Sequence, residues 1–443
     1  MEIKLSDHFT YRRLLRFTLP SILMIVFISI YVVIDGMFVS NFVGTQAFAA
    51  VNFVLPFIMG LASVGYVFGV GGSALVAKTL GEKKHYKANR IFSLIIYSSV
   101  IIGAVLAVSA ILYFKPVIRW FGVEGAMLEH CLTYSYILLA ALPALILQIV
   151  FQSFMVVAER PKLGLYITLL AGITNIVLDA LFIIVFGWGL KGAAFATVFS
   201  QIVGSVLPVL FFIFAKHPPI KLGRTAFYRS AMAKVITNGF SELMSNISLS
   251  IVTVLYNYQL LKIAGESGVV AFGIMSYANF VFLSIFIGYA TGNNPIISYN
   301  QGSGNHKELQ NVFRKNLVMI AWCGLFLVAL SELLAYPVVK IFVGYDQELT
   351  EFTVHGFRIY ALAFMVSGFS IYASAFFTAL NNGLISAVIA FVRTMIFECG
   401  CVLVLPLMFG VDGIWSSFVV AEVMALLLSI WYFYKYRHIY HYI

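Results

Sequence analysis

The sequence predicts an all-α polytopic membrane protein: twelve transmembrane helices in two six-helix lobes. Three observations carry this. The 443 residues are 61% hydrophobic and only 10% charged, with mean hydropathy +0.97; a soluble domain is nearer half apolar and one quarter charged. Apolar runs recur along the whole chain, each able to cross a bilayer that needs about 20 helical residues. The second half of the chain also repeats motifs of the first.

The elements follow in order. The first apolar stretch, 14–38, is too long for the core of a cleavable signal and lacks a convincing cleavage site, so it is expected to stay as a span. Runs at 47–77, 91–114, 128–157, 163–186 and 192–214 complete one half. Runs at 231–261, 267–299, 312–335, 352–380, 384–407 and 412–434 make the other. Several exceed 25 residues, so tilt or extension beyond the membrane is expected. The four cysteines, Cys131, Cys323, Cys399 and Cys401, lie in or beside apolar segments and read as small apolar fillers.

Orientation follows from the basic residues. With the N-terminus inside, 21 Lys and Arg fall on cytoplasmic segments and five on the opposite loops. The bias puts both termini in the cytoplasm. It also explains the +10 net charge without nucleic acid, because the cations are split among loops and form no reading surface.

The halves align. "GTQAFAAVNF" (44–53) resembles "GESGVVAFGI" (265–274), and an offset of 221 pairs Gly81 with Gly302, His85 with His306 and Phe92 with Phe313. "FGWGLKGAAFA" (186–196) echoes "FGVDGIWSSFV" (409–419) with a two-residue gap. Six spans per half is even, so both halves enter the membrane in the same direction, related by a pseudo-two-fold axis along its normal. The expected domains are 1–214 and 231–443, joined by a basic linker at 215–230 that contains "AKHPPIKLGR".

A charge inside a span is a functional candidate by default. The set is short: Asp35, Asp179, Glu242, Arg393, Glu398 and Glu422. In "TNIVLDALF" (174–182), Asn175 and Asp179 are four apart and share one helix face. Counted at about 1.5 Å per residue, Asp35, Asp179 and Thr197 reach similar depths in the outer half of the first lobe. Two carboxylates, an amide oxygen and a hydroxyl make an all-oxygen site for a small hard cation. Without a metal cation, two close carboxylates cannot both ionise cheaply, and the pair takes up a proton. The alternative is that the two aspartates are separate interfacial residues, with Asn175 and Thr197 in ordinary interhelical hydrogen bonds.

At this point the sequence resembles the multidrug and toxic compound extrusion (MATE) transporters, over essentially the whole chain. The resemblance rests on "IDGMFVSNFVGTQAFAAVNFVLPF", "GVGGSALVAKTLGEKK", "NIVLDALFI" and "GLKGAAFAT". It implies a V-shaped pair of lobes around a central cleft, and a cation site at Asp35, Asn175, Asp179 and Thr197. It also implies a helix-one proline, Pro20, which either supports bending or merely marks the start of the helix. The chain departs from some members at helix seven. Their mid-helix acid is missing, since the place reads Leu249 or Ser250 and Glu242 sits at the early end.

A candidate second-lobe polar cluster of Glu242, Arg393, Glu398 and Glu422 remains. Glu398 and Glu422 sit opposite Asn175 and Gln201 in the repeat, and both fall near the middle of the bilayer. The cluster is either charge-compensated structure or part of cation or substrate recognition. "GVGGSALVAKTLG" lacks phosphate-loop spacing and reads as close helix packing. His85 and His306 read as solvated loop residues. The expected activity is secondary export of organic, cationic or amphipathic compounds against H⁺ or Na⁺ by alternating access, in the plasma membrane. No cofactor, no catalytic residue and no metal beyond Na⁺ are expected, and the expected partners are small organic substrates and membrane lipid, with a monomeric chain. The rival is a lipid-linked oligosaccharide flippase, which a cleft rich in Arg and Lys would favour. A channel lacks its filter loop and an enzyme its nucleophile–base set.

Overall fold

The computed structural model describes residues 3–121, 123–215, 218–343 and 346–443, and shows helices and no strand among them. Lys216 and His217 of the linker lie outside the described residues. Among the described residues, ten helices are long and apolar enough to cross a membrane: α1 (Tyr11–Val43), α2 (Ala50–Gly81), α3 (His85–Trp120), α5 (Pro161–Val185), α6 (Gly189–Phe214), α7 (Arg229–Gly265), α8 (Ser267–Ser303), α9 (His306–Ile341), α11 (Gly383–Val404) and α12 (Pro406–Tyr440). The total is twelve if each of two bent pairs is one span, α4 (Gly125–Ala140 and Leu142–Val157, bent by 58°) and α10 (Gln347–Ala361 and Phe364–Ala379, bent by 47°).

The bends correct the expectation of continuous fourth and tenth spans. In α4 the second piece begins with Pro143 in its first turn, where a missing N–H is harmless, so the chain can restart at a new angle. The breaks at Ala141 and Leu362 are 221 residues apart, so the bend belongs to the repeat. Span one also runs further than its apolar core, because a π-helical turn, Val39–Val43, extends it to Gly44. The turns between helices obey the repeat too. Gly44 (φ 122°) and Gly265 (φ 66°) occupy equivalent corners, where a side chain would strain the backbone.

The apolar side chains form two cores. One is built mainly from α2 to α6 and the other from α7 to α12. The seam between the halves is made of backbone. A Cβ at Gly81 would strike the carbonyl oxygen of Tyr299, and one at Gly302 would strike that of Lys78. These two contacts are each other's image under the 221-residue offset. Further along, Gly71 and Gly239 lie against each other, with Gly239 also on Val67. The image of the Gly71–Gly239 contact, Gly292 against Thr18, together with Gly288 against Ile22, seats α8 on α1. The glycines of "GVGGSALVAKTLG" therefore serve close packing, as small residues at membrane helix interfaces do. All these contacts lie toward the end of the molecule that carries the Lys-rich loops.

At that same end, residues 3–10 strap the halves together. The Leu5 N–H donates to Glu159 Oε1 (2.7 Å), between α4 and α5. The Phe9 N–H donates to Glu308 Oε1 (2.8 Å), and His8 Nδ1 lies 2.6 Å from Glu308 Oε2, on α9. Asn311 and Lys315 donate to the Phe9 carbonyl, and the Leu5 and Phe9 side chains are buried. The linker lies along α3, where the N–H groups of Lys221 and Gly223 donate to Asn89 and Ser93. Of the two loop histidines, His85 is exposed but His306 is partly buried, its ring 5.0 Å from that of His441.

Candidate functional site

Helical register builds the first site. Tyr31 and Asp35 share a face of α1, and Asn175 and Asp179 share a face of α5. Gly172 lets the two helices approach, since a Cβ there would press into the rings of Phe27 and Tyr31. Asp35 then lies beside both Asp179 and Asn175. Asp179 is 0% exposed and Asn175 1%. No side-chain hydrogen bond satisfies them: both oxygens of Asp179, one of Asp35 and both polar atoms of Asn175 lack a partner among the described residues. Buried polar groups are normally paired, and leaving them bare costs about 1–3 kcal/mol each.

Thr197 on α6 joins from the side. Its hydroxyl donates to the Ala193 carbonyl (3.0 Å) and lies against the hydroxyl of Tyr134. Tyr134, buried on α4, faces both aspartates, and Tyr31 faces Asp35. Neither tyrosine stood out in the sequence. Tyr31 had a signal, four residues before Asp35 on the same face; Tyr134 had none. A π-helical turn, Ala180–Val185, begins immediately after Asp179. Such turns are rare and concentrate at functional sites.

Pro20 sits in the interior of α1, nine residues after its first residue, Tyr11. Marking the helix start is therefore excluded, and the Arg16 carbonyl loses its usual donor there. The flanking residues Thr18 and Ile22 are those that touch Gly292 and Gly288.

The second half assembles three of its four candidates. The Arg393 guanidinium meets Glu422 Oε1 through Nη2 (2.6 Å) and Nε (2.7 Å), and Ser370 Oγ donates to Glu422 Oε2 (2.7 Å). Arg393 and Glu398 both fall in a π-helical turn, Val392–Glu398. Glu398 is buried beside the hydroxyl of Tyr256, with Tyr360 nearby. It enters no ion pair among the described residues. Tyr256 is the image of Asp35 under the repeat, just as Glu398 is that of Asn175. The two clusters thus occupy equivalent positions.

Glu242 is the correction. It is partly buried near Tyr66 of α2 and is no neighbour of the Arg393 cluster. The reason is depth. Tyr256 is the α7 residue at the level of Glu398, and Glu242 lies fourteen residues earlier, roughly 21 Å along the helix.

The chain is 22% identical over 434 residues to the multidrug export protein MepA of Staphylococcus haemolyticus, covering 97% of this chain and 94% of that one. It superposes on the solved structure of MATE in complex with MaL6 with a TM-score of 0.91 at 21% identity, covering 97% of this chain and 96% of that chain. It superposes equally well on the outward-facing conformation of a multidrug resistance MATE family transporter of the MOP superfamily, with TM-score 0.91, 21% identity and coverage of 97% and 96%. The polytopic helical fold expected from the sequence is the fold of these transporters. The family described as MatE matches residues 20–181 and 243–400, and the chain belongs to the MatE family.

Proposed function

We propose that this chain exports organic cationic or amphipathic compounds by antiport against H⁺ or Na⁺, through alternating access of two lobes, 1–214 and 231–443, about the linker 215–230. The Lys-rich end is cytoplasmic, the membrane is the plasma membrane and the working unit is a monomer. The naming of the MepA relative as a multidrug export protein supports the substrate class. One observation carries the coupling: two aspartates converge with Asn175 in the interior, and both oxygens of Asp179 and one of Asp35 lack partners among the described residues. A proton or Na⁺ supplies the missing partner. Releasing it bares two adjacent carboxylates, which then repel, so occupancy of the site biases the packing of α1 against α5. A ligand shifts an equilibrium only by such a differential interaction. Asp35 and Asp179 hold the ion, Asn175 and Thr197 supply neutral oxygens, and Pro20 gives α1 a place to bend.

The second-half cluster serves recognition in this reading. Glu422 pairs directly with Arg393, which leaves Glu398 as the acid of the cluster outside the ion pair, suited to an organic cation. The same pairing disfavours the flippase reading, because Arg393, the arginine of this cluster, is not free to hold a pyrophosphate.

The test is substrate flux in proteoliposomes under separately imposed H⁺ and Na⁺ gradients. Asp35→Asn and Asp179→Asn should abolish gradient-driven export while the protein stays folded. Undiminished export by both variants would sink the proposal.

A further inference from the structure

A groove of about 520 Å³ opens on the flank of the molecule, away from both polar clusters. It runs along the seam between α1 on one side and α8 and α9 on the other. Tyr11, Leu15, Phe286, Tyr289, Met319 and Trp322 are among its walls. Phe286 and Tyr289 form a buried floor, and Trp322 (69% exposed) stands at the rim, facing where lipid must be. The polar atoms of the floor are already engaged, since Tyr289 donates to Asn316 Oδ1 at 2.6 Å. The groove therefore offers apolar contact and little else.

Its length and its ends identify the occupant. On α1 the lining extends from Tyr11 to Ile22. Eleven residues span roughly 16 Å at helical rise, close to one leaflet of a core about 30 Å thick. Cations stand at one end only. Arg314 and Lys315 lie one helical turn before the lining residues Val318 and Met319. Arg12 and Arg16 each follow a lining residue on α1, Tyr11 and Leu15. Lys315 is held by the Phe9 carbonyl (2.7 Å) and the ring of Tyr11. Arg12, Arg16 and Arg314 are exposed and enter no ion pair among the described residues. An apolar slot one leaflet long, with cations at its surface end, matches an acyl chain below an anionic headgroup.

We propose that this groove is a binding site for an anionic phospholipid of the leaflet at the Lys-rich end. The acyl chain lies between α1 and α9, and the phosphate sits among Arg12, Arg16 and Arg314. Because α1 belongs to one half and α8 and α9 to the other, the lipid fills the seam from outside.

Trp322 provides the probe. The full chain is reconstituted with bromine-labelled acyl chains on either phosphatidylglycerol or phosphatidylcholine, and the quenching lost in Trp322→Phe is taken as the Trp322 signal. Phosphatidylglycerol should associate with the site more tightly, by about fivefold for each engaged arginine. The preference should fall toward one in the triple variant Arg12→Gln, Arg16→Gln, Arg314→Gln. It should persist in Lys83→Gln, Lys84→Gln, Lys87→Gln, which removes as much charge elsewhere at the same end. Equal quenching by the two lipids would show ordinary bulk contact and overturn the site. So would loss of preference in the lysine control, which would reduce it to general surface charge. Displacement of the brominated lipid by a transported organic cation would assign the groove to substrate and likewise overturn the proposal.

Discussion

Placing one methyl group at Gly302 or at Gly81 should open the Lys-rich end of the molecule. In Gly302→Ala the new Cβ meets the carbonyl oxygen of Lys78, and in Gly81→Ala that of Tyr299. Backbone cannot rotate out of the way as a side chain can, so the two helices must part by roughly an ångström to restore van der Waals contact. Overpacking of this kind costs typically 1–3 kcal/mol. All of it falls on the state in which the halves are closed here, so the ratio of open to closed should rise by roughly 5- to 150-fold. Spin labels at Lys87→Cys and Lys307→Cys, both exposed beside the crossing, report it as a longer component in the distance distribution. The native cysteines are replaced by alanine for this measurement. Gly273→Ala, where a Cβ meets nothing within 4 Å, is the matched control and should leave the distribution unchanged. Because the contacts are images of one another, the two variants should shift it alike. Unchanged distances in both would refute the view that backbone contact seals this end.

Other expectations follow from burial. Asp179→Asn removes a carboxylate with no hydrogen-bond partner, so it should raise thermal stability even as it stops transport; a lower Tm would show that the bare aspartate is structural. Glu422→Gln strands a buried Arg393 and should cost about 3–5 kcal/mol, seen as lost yield and a lower Tm, whereas Glu398→Gln should fold normally and lose affinity for cationic substrates selectively. Burial holds the Glu159 carboxyl above its ordinary value of 4.5, against the pull of the Leu5 N–H. An acid raised in this way contributes stability that is complete below pH 4.5 and lost as pH rises through its folded-state value. Glu159→Gln should flatten the decline of Tm above that pH, and a steeper decline in the variant would reverse the argument.

What could be read from sequence was whatever the bilayer penalises. A charge in an apolar run is conspicuous, so Asp35, Asp179, Arg393, Glu398 and Glu422 were found, and their grouping followed from depth. Asn175 followed from its spacing to Asp179. Glu242 was misplaced because it was grouped by half and not by level. Tyr134, Tyr256 and Tyr360 escaped notice because 24 tyrosines in such a chain look like filler, and only tertiary contact singles out the few beside a carboxylate. The π-helical turns at Ala180–Val185 and Val392–Glu398 leave no mark in composition, since they redistribute backbone bonds without changing residue type. The bend in α10 has no proline to announce it, and only its likeness to α4 in the repeat could have shown it.

The strap of residues 3–10 has a consequence for how the chain assembles. Its partners lie far along the sequence: Leu5 reaches Glu159 across 154 residues, and Phe9 reaches Glu308 across 299. The segment is synthesised before either acceptor exists. It must wait, unpaired, until α4 and α5 are joined by their loop and α9 has entered the membrane. Contacts of such long separation form late, because the loop they close costs entropy before the bond repays it. The earliest residues described are therefore among the last to dock, and they dock only on a molecule whose two halves have both been built.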